Sequence, residues 1–199
     1  MTAATATAEK TSIINDDCIA FEDVSIVTPK DVKLVEKLNF RLDPGGSLLI
    51  VGHNGAGKSS IFRCLGGLWT IPHGTIRKPG GTDASSKGAS NDAMFYIPQK
   101  PYNVTGTLID QMTYPDVTGG KDLTMEKMTE ILTEVDLEYL LERKGCLTET
   151  VNWEDELSLS EKQRLAIARL IYNKPRYAIL DECSSAITSH MEQRLYKIW

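Results

Sequence analysis

Apolar and polar residues partly alternate over Ile19-Ala20-Phe21-Glu22-Asp23-Val24-Ser25-Ile26, the period of a strand with one buried face. Pro29-Lys30-Asp31 breaks that pattern. A second run, Leu34 to Leu42, ends at the turn signal Asp43-Pro44-Gly45-Gly46. Leu48-Leu49-Ile50-Val51 differs from both. It is short and continuously apolar, which predicts a strand buried inside a parallel sheet. A helix follows with Ile61, Phe62 and Leu65 on one side and Gly66-Gly67 as its stop. Strands are predicted again at Gly74 to Lys78 and at Met94-Phe95-Tyr96-Ile97, the second terminating in Pro98-Gln99. Between them Pro79 to Asp92 has the composition of a flexible surface loop.

The remaining residues read mostly as helix. Met128, Ile131, Leu132 and Val135 fall at i, i+3, i+4 and i+7 within Leu123 to Leu137, with Thr124 as N-cap. Glu138 to Arg143 extends the helical character as far as Gly145. Trp153 to Glu156 reads as a polar approach to a mostly buried helix from about Ser160 to Tyr172, which Lys174-Pro175 closes. Tyr177-Ala178-Ile179-Leu180 predicts another buried parallel strand, ending in Asp181-Glu182. Met191, Leu195 and Ile198 mark a last amphipathic helix.

At 199 residues the chain suits one domain, or one domain cut short, and 41% apolar with 25% charged residues is ordinary for a globular protein. The net charge of −5 excludes a broad basic surface for nucleic acid or anionic lipid. Cys18, Cys64, Cys146 and Cys183 are scattered, and read as reduced thiols of a cytosol-facing protein. No apolar run is long enough to span a bilayer. The Ala/Thr-rich stretch from Met1 to Asp17 is expected to be a disordered tail, with the domain occupying residues 18–199.

Chemistry enters at Gly52-His53-Asn54-Gly55-Ala56-Gly57-Lys58-Ser59, which follows the apolar strand and opens a helix in the pattern G-x-x-x-x-G-K-S of a phosphate-binding loop. Glycines there let backbone N–H groups turn inward onto a polyphosphate. The positive end of the helix points at the same phosphates. Lys58 reaches the β- and γ-phosphates, and the Ser59 hydroxyl ligates Mg²⁺. Residues Gly52 to Ser60 are thus the expected contacts of a nucleoside triphosphate. Asp181 and Glu182 close an apolar strand, where ligands bind in open α/β sheets; the first suits Mg²⁺ and the second a polarising base for water. Leu157-Ser158-Leu159-Ser160-Glu161-Lys162-Gln163-Arg164 precedes a buried helix. Ser158 with Glu161 fits a capping box, and equally an anion site at a helix N-terminus.

In this order the motifs resemble the nucleotide-binding domain of ATP-binding cassette (ABC) proteins. Gly52–Ser59 matches Walker A, Gln99 the Q-loop, Leu157–Arg164 the signature, Tyr177–Glu182 Walker B and Ser185-Ala186-Ile187-Thr188 the D-loop. Within the family, Phe62-Arg63-Cys64-Leu65-Gly66-Gly67-Leu68-Trp69, Phe95 to Tyr102 and Leu180 to Ala186 resemble subfamily D, the adrenoleukodystrophy-type half transporters of peroxisomes. Thr28, where most ABC proteins carry an adenine-stacking aromatic, resembles the same subfamily.

The resemblance implies an α/β fold of the P-loop NTPase type. It would have a mainly parallel sheet core, an antiparallel β subdomain and a helical signature subdomain at about residues 105–170. It implies ATP and Mg²⁺ as cofactors, with Ser59, Gln99 and Asp181 as metal ligands and Glu182, Gln99 and Ser158 as catalytic residues. Two such domains pair head to tail, as a homodimer or heterodimer, so that Ser158 acts on the partner's nucleotide. The transmembrane domain of a half transporter is the other implied partner, and nucleic acid is not one. The implied setting is the cytosolic face of the peroxisomal membrane, importing very-long-chain fatty acids or their acyl-CoA esters. A lysosomal cobalamin branch of the subfamily is the alternative suggested by Leu195-Tyr196-Lys197-Ile198. A non-catalytic ATP-binding module and a soluble ABC ATPase of DNA repair or translation are further readings; acidic charge argues against the last. Leu159 and Ser160 stand in place of the signature's two glycines, and Thr188 in place of the D-loop aspartate. By the same resemblance, the switch histidine and last core strand are expected beyond Trp199. His53 in the loop, His73 in a turn and His190 on the last helix do not replace that histidine.

Overall fold

The computed structural model describes residues 12–81, 93–116, 120, 122–143, 145, 147–195 and 197. The chain divides into two compact units, Met1–Ala93 and Met94–Trp199. Residues 1–11 of the expected tail, 82–92 of the expected loop, and Tyr196 and Ile198 of the terminal phrase lie outside the described residues, as does Cys146.

In the first unit β1 (Ser12–Asn15), β2 (Ile19–Val27), β3 (Lys33–Leu42) and β4 (His73–Lys78) form one sheet in the order β1-β4-β2-β3. β2 runs antiparallel to β3 and β4, whereas β1 is parallel to β4. The partial alternation of β2 has a structural cause. Phe21 and Val24 are both buried although three positions apart, which a regular strand forbids. A bulge supplies the extra residue: the register shifts between Phe21 and Val24, and Asp23 has φ +52°. Gly74 of β4 passes against it, and a Cβ there would lie 2.5 Å from the Asp23 carbonyl oxygen, so only glycine fits. His73 begins β4 rather than lying in a turn, and its Nε2 is 2.8 Å from Asp23 Oδ2. Phe21 stacks on Phe40 at 4.8 Å. α1 (Lys58–Leu65) buries Ser60, Ile61, Cys64 and Leu65.

Two expectations need correction here. The tail does not extend to Asp17, because Ser12–Asn15 pair with β4 from Ser12↔Thr75 to Asn15↔Lys78. The edge of β4 presents unpaired backbone donors and acceptors, and an added strand satisfies them. The second correction is Leu48–Val51, which forms no strand; Leu49 and Val51 are 85% and 81% exposed. An apolar run becomes a buried strand only with neighbours on its edges and cover on both faces. Among the described residues it pairs with no strand.

The second unit contains β5 (Met94–Ile97), β6 (Thr105–Gly106), α2 (Leu108–Thr113), α3 (Met125–Glu134), a 3-10 turn at Glu138–Glu142, β7 (Val151–Asn152), α4 (Trp153–Glu156), α5 (Leu159–Asn173), β8 (Tyr177–Leu180) and α6 (Ser189–Leu195). β5 and β8 pair in parallel from Met94↔Tyr177 to Ile97↔Leu180, and β6 pairs antiparallel with β7. The i, i+3, i+4 positions of α3 bury Met128, Ile131 and Leu132 as its period requires, and Thr124 caps it through the Lys127 N–H. These side chains join Leu108, Met112, Leu140, Trp153 and Leu165 in one core. Trp153 opens a helical turn rather than a polar approach: it is 1% exposed, and its indole N–H donates to Gly106 O at 2.8 Å. Losing such a side chain typically costs about 3–5 kcal/mol. Lys174 ends α5 in the left-handed conformation, φ +45°. Among the described residues no helix is long and apolar enough to cross a membrane.

Candidate functional site

The phosphate-type loop belongs to the first unit and is built almost wholly from backbone. Gly55 and Gly57 have φ +83° and +92°, and Gly57 is the N-cap of α1. Gly57 supplies no side-chain cap, and a helix N-terminus of this kind carries the partial positive charge that favours an anion. A Cβ on Gly57 would press against Leu34 Cβ at 3.3 Å, so both conformation and space call for glycine. The Ala56 N–H closes a turn on His53 O at 3.1 Å, and the His53 ring meets Asn54 O. Lys58 lies across the loop, its Nζ donating to Gly52 O at 2.9 Å and His53 O at 3.2 Å. Ser59 is half-buried and Ser60 buried, so Ser60 packs beneath the loop. Cys64, on the inner side of the same helix, is 1% exposed, and burial pushes its thiol up to about 11.

The acidic pair belongs to the second unit. Asp181 continues the parallel ladder by one residue, its N–H donating to Ile97 O at 3.0 Å, and the side chain is buried. The Tyr96 hydroxyl donates to Asp181 Oδ2 at 3.0 Å. Glu182 leaves the strand with φ +50° and is exposed. Gln99, on the loop after β5, donates its Nε2 to Glu182 Oε2 at 2.9 Å. The fold thus brings Gln99, Asp181 and Glu182 to one end of the β5–β8 pair. A turn follows, with Ile187 N–H on Ser184 O at 3.0 Å, and Thr188 leads into α6. Cys183 is buried within that turn, and burial again pushes its thiol up to about 11.

Ser158 is the N-cap of α5 with a reciprocal capping box. Its Oγ accepts the Glu161 N–H, and Glu161 Oε2 accepts the Ser158 N–H at 2.7 Å. Burial pushes the Glu161 carboxyl up, but hydrogen bonds from Ser158 and Tyr139 outweigh it and hold the group below its ordinary value. The segment is anchored on three sides: Lys162 to Glu154 Oε1 at 2.7 Å, Arg164 to Asp136 O at 2.6 Å, and Gln163 inward. Ser158 and Leu159 are exposed. Further along α5, the buried Arg169 guanidinium donates to Gln111 O, Tyr102 O, Asn103 Oδ1 and Gln111 Oε1 at 2.6–3.1 Å. Burial pulls it below its usual value.

Sequence reasoning missed Tyr96 and Gln163. Tyr96 looks like any aromatic in a strand, and only its pairing with Ile179, two residues before Asp181, gives it a role. Gln163 looks like a polar residue near a helix start. Thr28, in contrast, has a local role: its hydroxyl accepts the Lys30 and Val32 N–H groups at 3.3 and 3.1 Å, fixing the β2–β3 turn.

The ABC transporter family model matches residues 35–185. The chain is 53% identical over 179 residues to ABC transporter D family member 1 of Arabidopsis thaliana, covering 88% of the chain and 13% of that protein. It is 43% identical over 190 residues to ATP-binding cassette sub-family D member 3 of Homo sapiens, covering 92% and 27%. A Dictyostelium discoideum D family member 2 is 41% identical, covering 94% and 24%. The chain therefore spans about an eighth to a quarter of these relatives. A bacterial Atm1-family ABC exporter, solved with ATP bound, shares the fold at TM-score 0.74 and 24% identity over 98% of the chain and 34% of its own. With the motifs placed on a mixed α/β fold of this type, the chain belongs to the ABC transporter family, as a nucleotide-binding domain whose relatives named here are subfamily D proteins.

Proposed function

We propose that the chain is the ATP-binding and ATP-hydrolysing engine domain of a subfamily D half transporter. The observation that carries the reading is the Gln99–Glu182 hydrogen bond at the end of the parallel strand pair, beside the metal-type carboxylate Asp181. Glu182 holds and polarises the attacking water, and Gln99 fixes that carboxylate. Lys58 and the N–H groups at the start of α1 take the phosphates of ATP. The Asp181 carboxylate and the Gln99 amide oxygen are oxygen donors of the kind that suits Mg²⁺, which takes one or two carboxylates together with substrate phosphates, and the phosphate-loop pattern assigns the Ser59 hydroxyl to Mg²⁺ as well. The Gln99 amide is oriented for this, since its nitrogen is engaged by Glu182 and its oxygen is the acceptor end. Bound Mg²⁺ supplies charge neutralisation at the phosphates. Ser158 at the start of α5 serves the nucleotide of a second domain, in a homodimer or heterodimer.

The membrane partner is the transmembrane domain of the half transporter. The cargo is very-long-chain fatty acids or their acyl-CoA esters, moved into peroxisomes from the cytosolic face; this follows from the resemblance to subfamily D alone. Lysosomal cobalamin transport is the alternative within the subfamily. Titration with a fluorescent ATP analogue tests the core of the reading. Lys58→Ala removes a charged donor worth about 1.5–3 kcal/mol, a weakening of roughly ten- to 150-fold. Equal affinity in the two proteins overturns it. One observation favours a second reading, an ATP-binding module that does not turn over: exposed Leu159 at a signature position where the family carries glycine. Hydrolysis abolished by Glu182→Gln decides for the engine.

A further inference from the structure

Gln163 is 0% exposed on α5, and its amide is spent on three contacts far away in sequence. Nε2 donates to Gln99 O at 3.2 Å and to Ser185 Oγ at 3.0 Å. Oε1 accepts the Ala186 N–H at 2.9 Å. The first joins residues 64 apart and the others residues 22 and 23 apart. Gln99 in turn places its own Nε2 on Glu182. One side chain thus grips the backbone carbonyl of Gln99, the donor to Glu182, and the turn that follows Glu182.

We propose that Gln163 is a positioning residue that sets the Glu182 carboxylate, through Gln99 on one side and the Ser184–Ile187 turn on the other. It thereby ties the Ser158 end of α5 to the water-orienting group. This rests on the proposed role of Glu182, but the coupling itself is structural and separable from it. A residue there only to fill space would be apolar, as Leu165 and Ala168 are on the same helix. A buried amide is tolerated because its donors and acceptor are all used, and no other side chain of this size offers both kinds at one end. Gln163→Glu keeps an acceptor for Ala186 but replaces the donor facing Gln99 O with a second lone-pair atom. Gln163→Met keeps the length and loses both.

Nuclear magnetic resonance of the 199-residue chain distinguishes these atoms without relying on turnover. Gln163→Glu is expected to shift the Gln99 carboxamide resonances in the same direction as Glu182→Gln does, while Ala186 keeps its protection from amide exchange. Gln163→Met is expected to shift Gln99 likewise and to speed Ala186 exchange about fivefold to tenfold, the loss of one net hydrogen bond. If Gln163→Met does not fold, Gln163→Glu alone decides. Gln99 resonances that move in Glu182→Gln but stay fixed in Gln163→Glu overturn the proposal. A side chain that only stabilises α5 would lower the melting temperature and leave them unmoved. Should ATP hydrolysis prove indifferent to Glu182→Gln, the functional role falls, and the resonances still decide the positioning.

Discussion

The phosphate-type loop and the acidic strand end are assembled by opposite means. In the loop the hydrogen bonds of His53, Ala56 and Lys58 are local: Lys58 reaches back six residues to Gly52 O, and the decisive atoms are backbone N–H groups and two glycines with positive φ. At the strand end the contacts are side-chain bonds between distant segments, 85 residues for Tyr96–Asp181 and 83 for Gln99–Glu182. A local device fails through its own backbone. A network fails through any one member.

The largest effect expected from this difference is at Arg169. Arg169→Met takes the guanidinium donor from the carbonyls of Gln111 and Tyr102 and from Asn103 Oδ1, while Gln111 Oε1 keeps only the Val104 N–H. Each buried acceptor left unsatisfied costs about 1–3 kcal/mol, and several are left at once. Urea unfolding should register it, and a loss below about 1 kcal/mol would show that the second unit does not depend on this network. Gly57→Ala ranks next. Left-handed backbone costs a residue with a Cβ about 1–2 kcal/mol, and the added carbon meets Leu34. The same unfolding assay should show that smaller loss, with ATP-analogue affinity reduced as the loop shifts. Unchanged stability and affinity would mean that the loop's glycines are not structural requirements.

The smallest effect tests both regions together, since each hides one thiol, Cys64 on α1 and Cys183 after Glu182. Both pKa values are raised to about 11, so the folded state holds these protons more tightly than the unfolded state, where a thiol titrates near 8.5. Stability from keeping them neutral is therefore complete below about pH 8.5 and lost as pH rises toward 11. Alkylation followed by mass spectrometry should find both unreactive at pH 8 in the folded protein. Modification of one alone would identify the region that opens more readily.

This division also explains what could be read in advance. Gly52–Ser59, the α3 stripe and the ends of α5 were legible because spacing alone determines which way a backbone or a helix face turns. Asp181 and Glu182 were legible because a strand end is a position in sequence. Tyr96 and Gln163 were not, since their meaning lies in partners that no local pattern names. β1 was hidden by its shortness, four residues after an Ala/Thr-rich stretch. Leu48–Val51 misled because hydrophobicity reports a preference for burial, and exposure is decided by which strands are available to pair.

The left-handed backbone of Glu182 has a consequence for how the protein would respond to selection in the laboratory. Glycine or asparagine would adopt φ +50° at less cost, so folding energy by itself favours replacing this carboxylate. A screen for heat resistance that ignores turnover would be drawn to position 182 and would discard the water-orienting group. Robustness and work are set against each other at this one residue, and a search for one has to be counter-selected with the other.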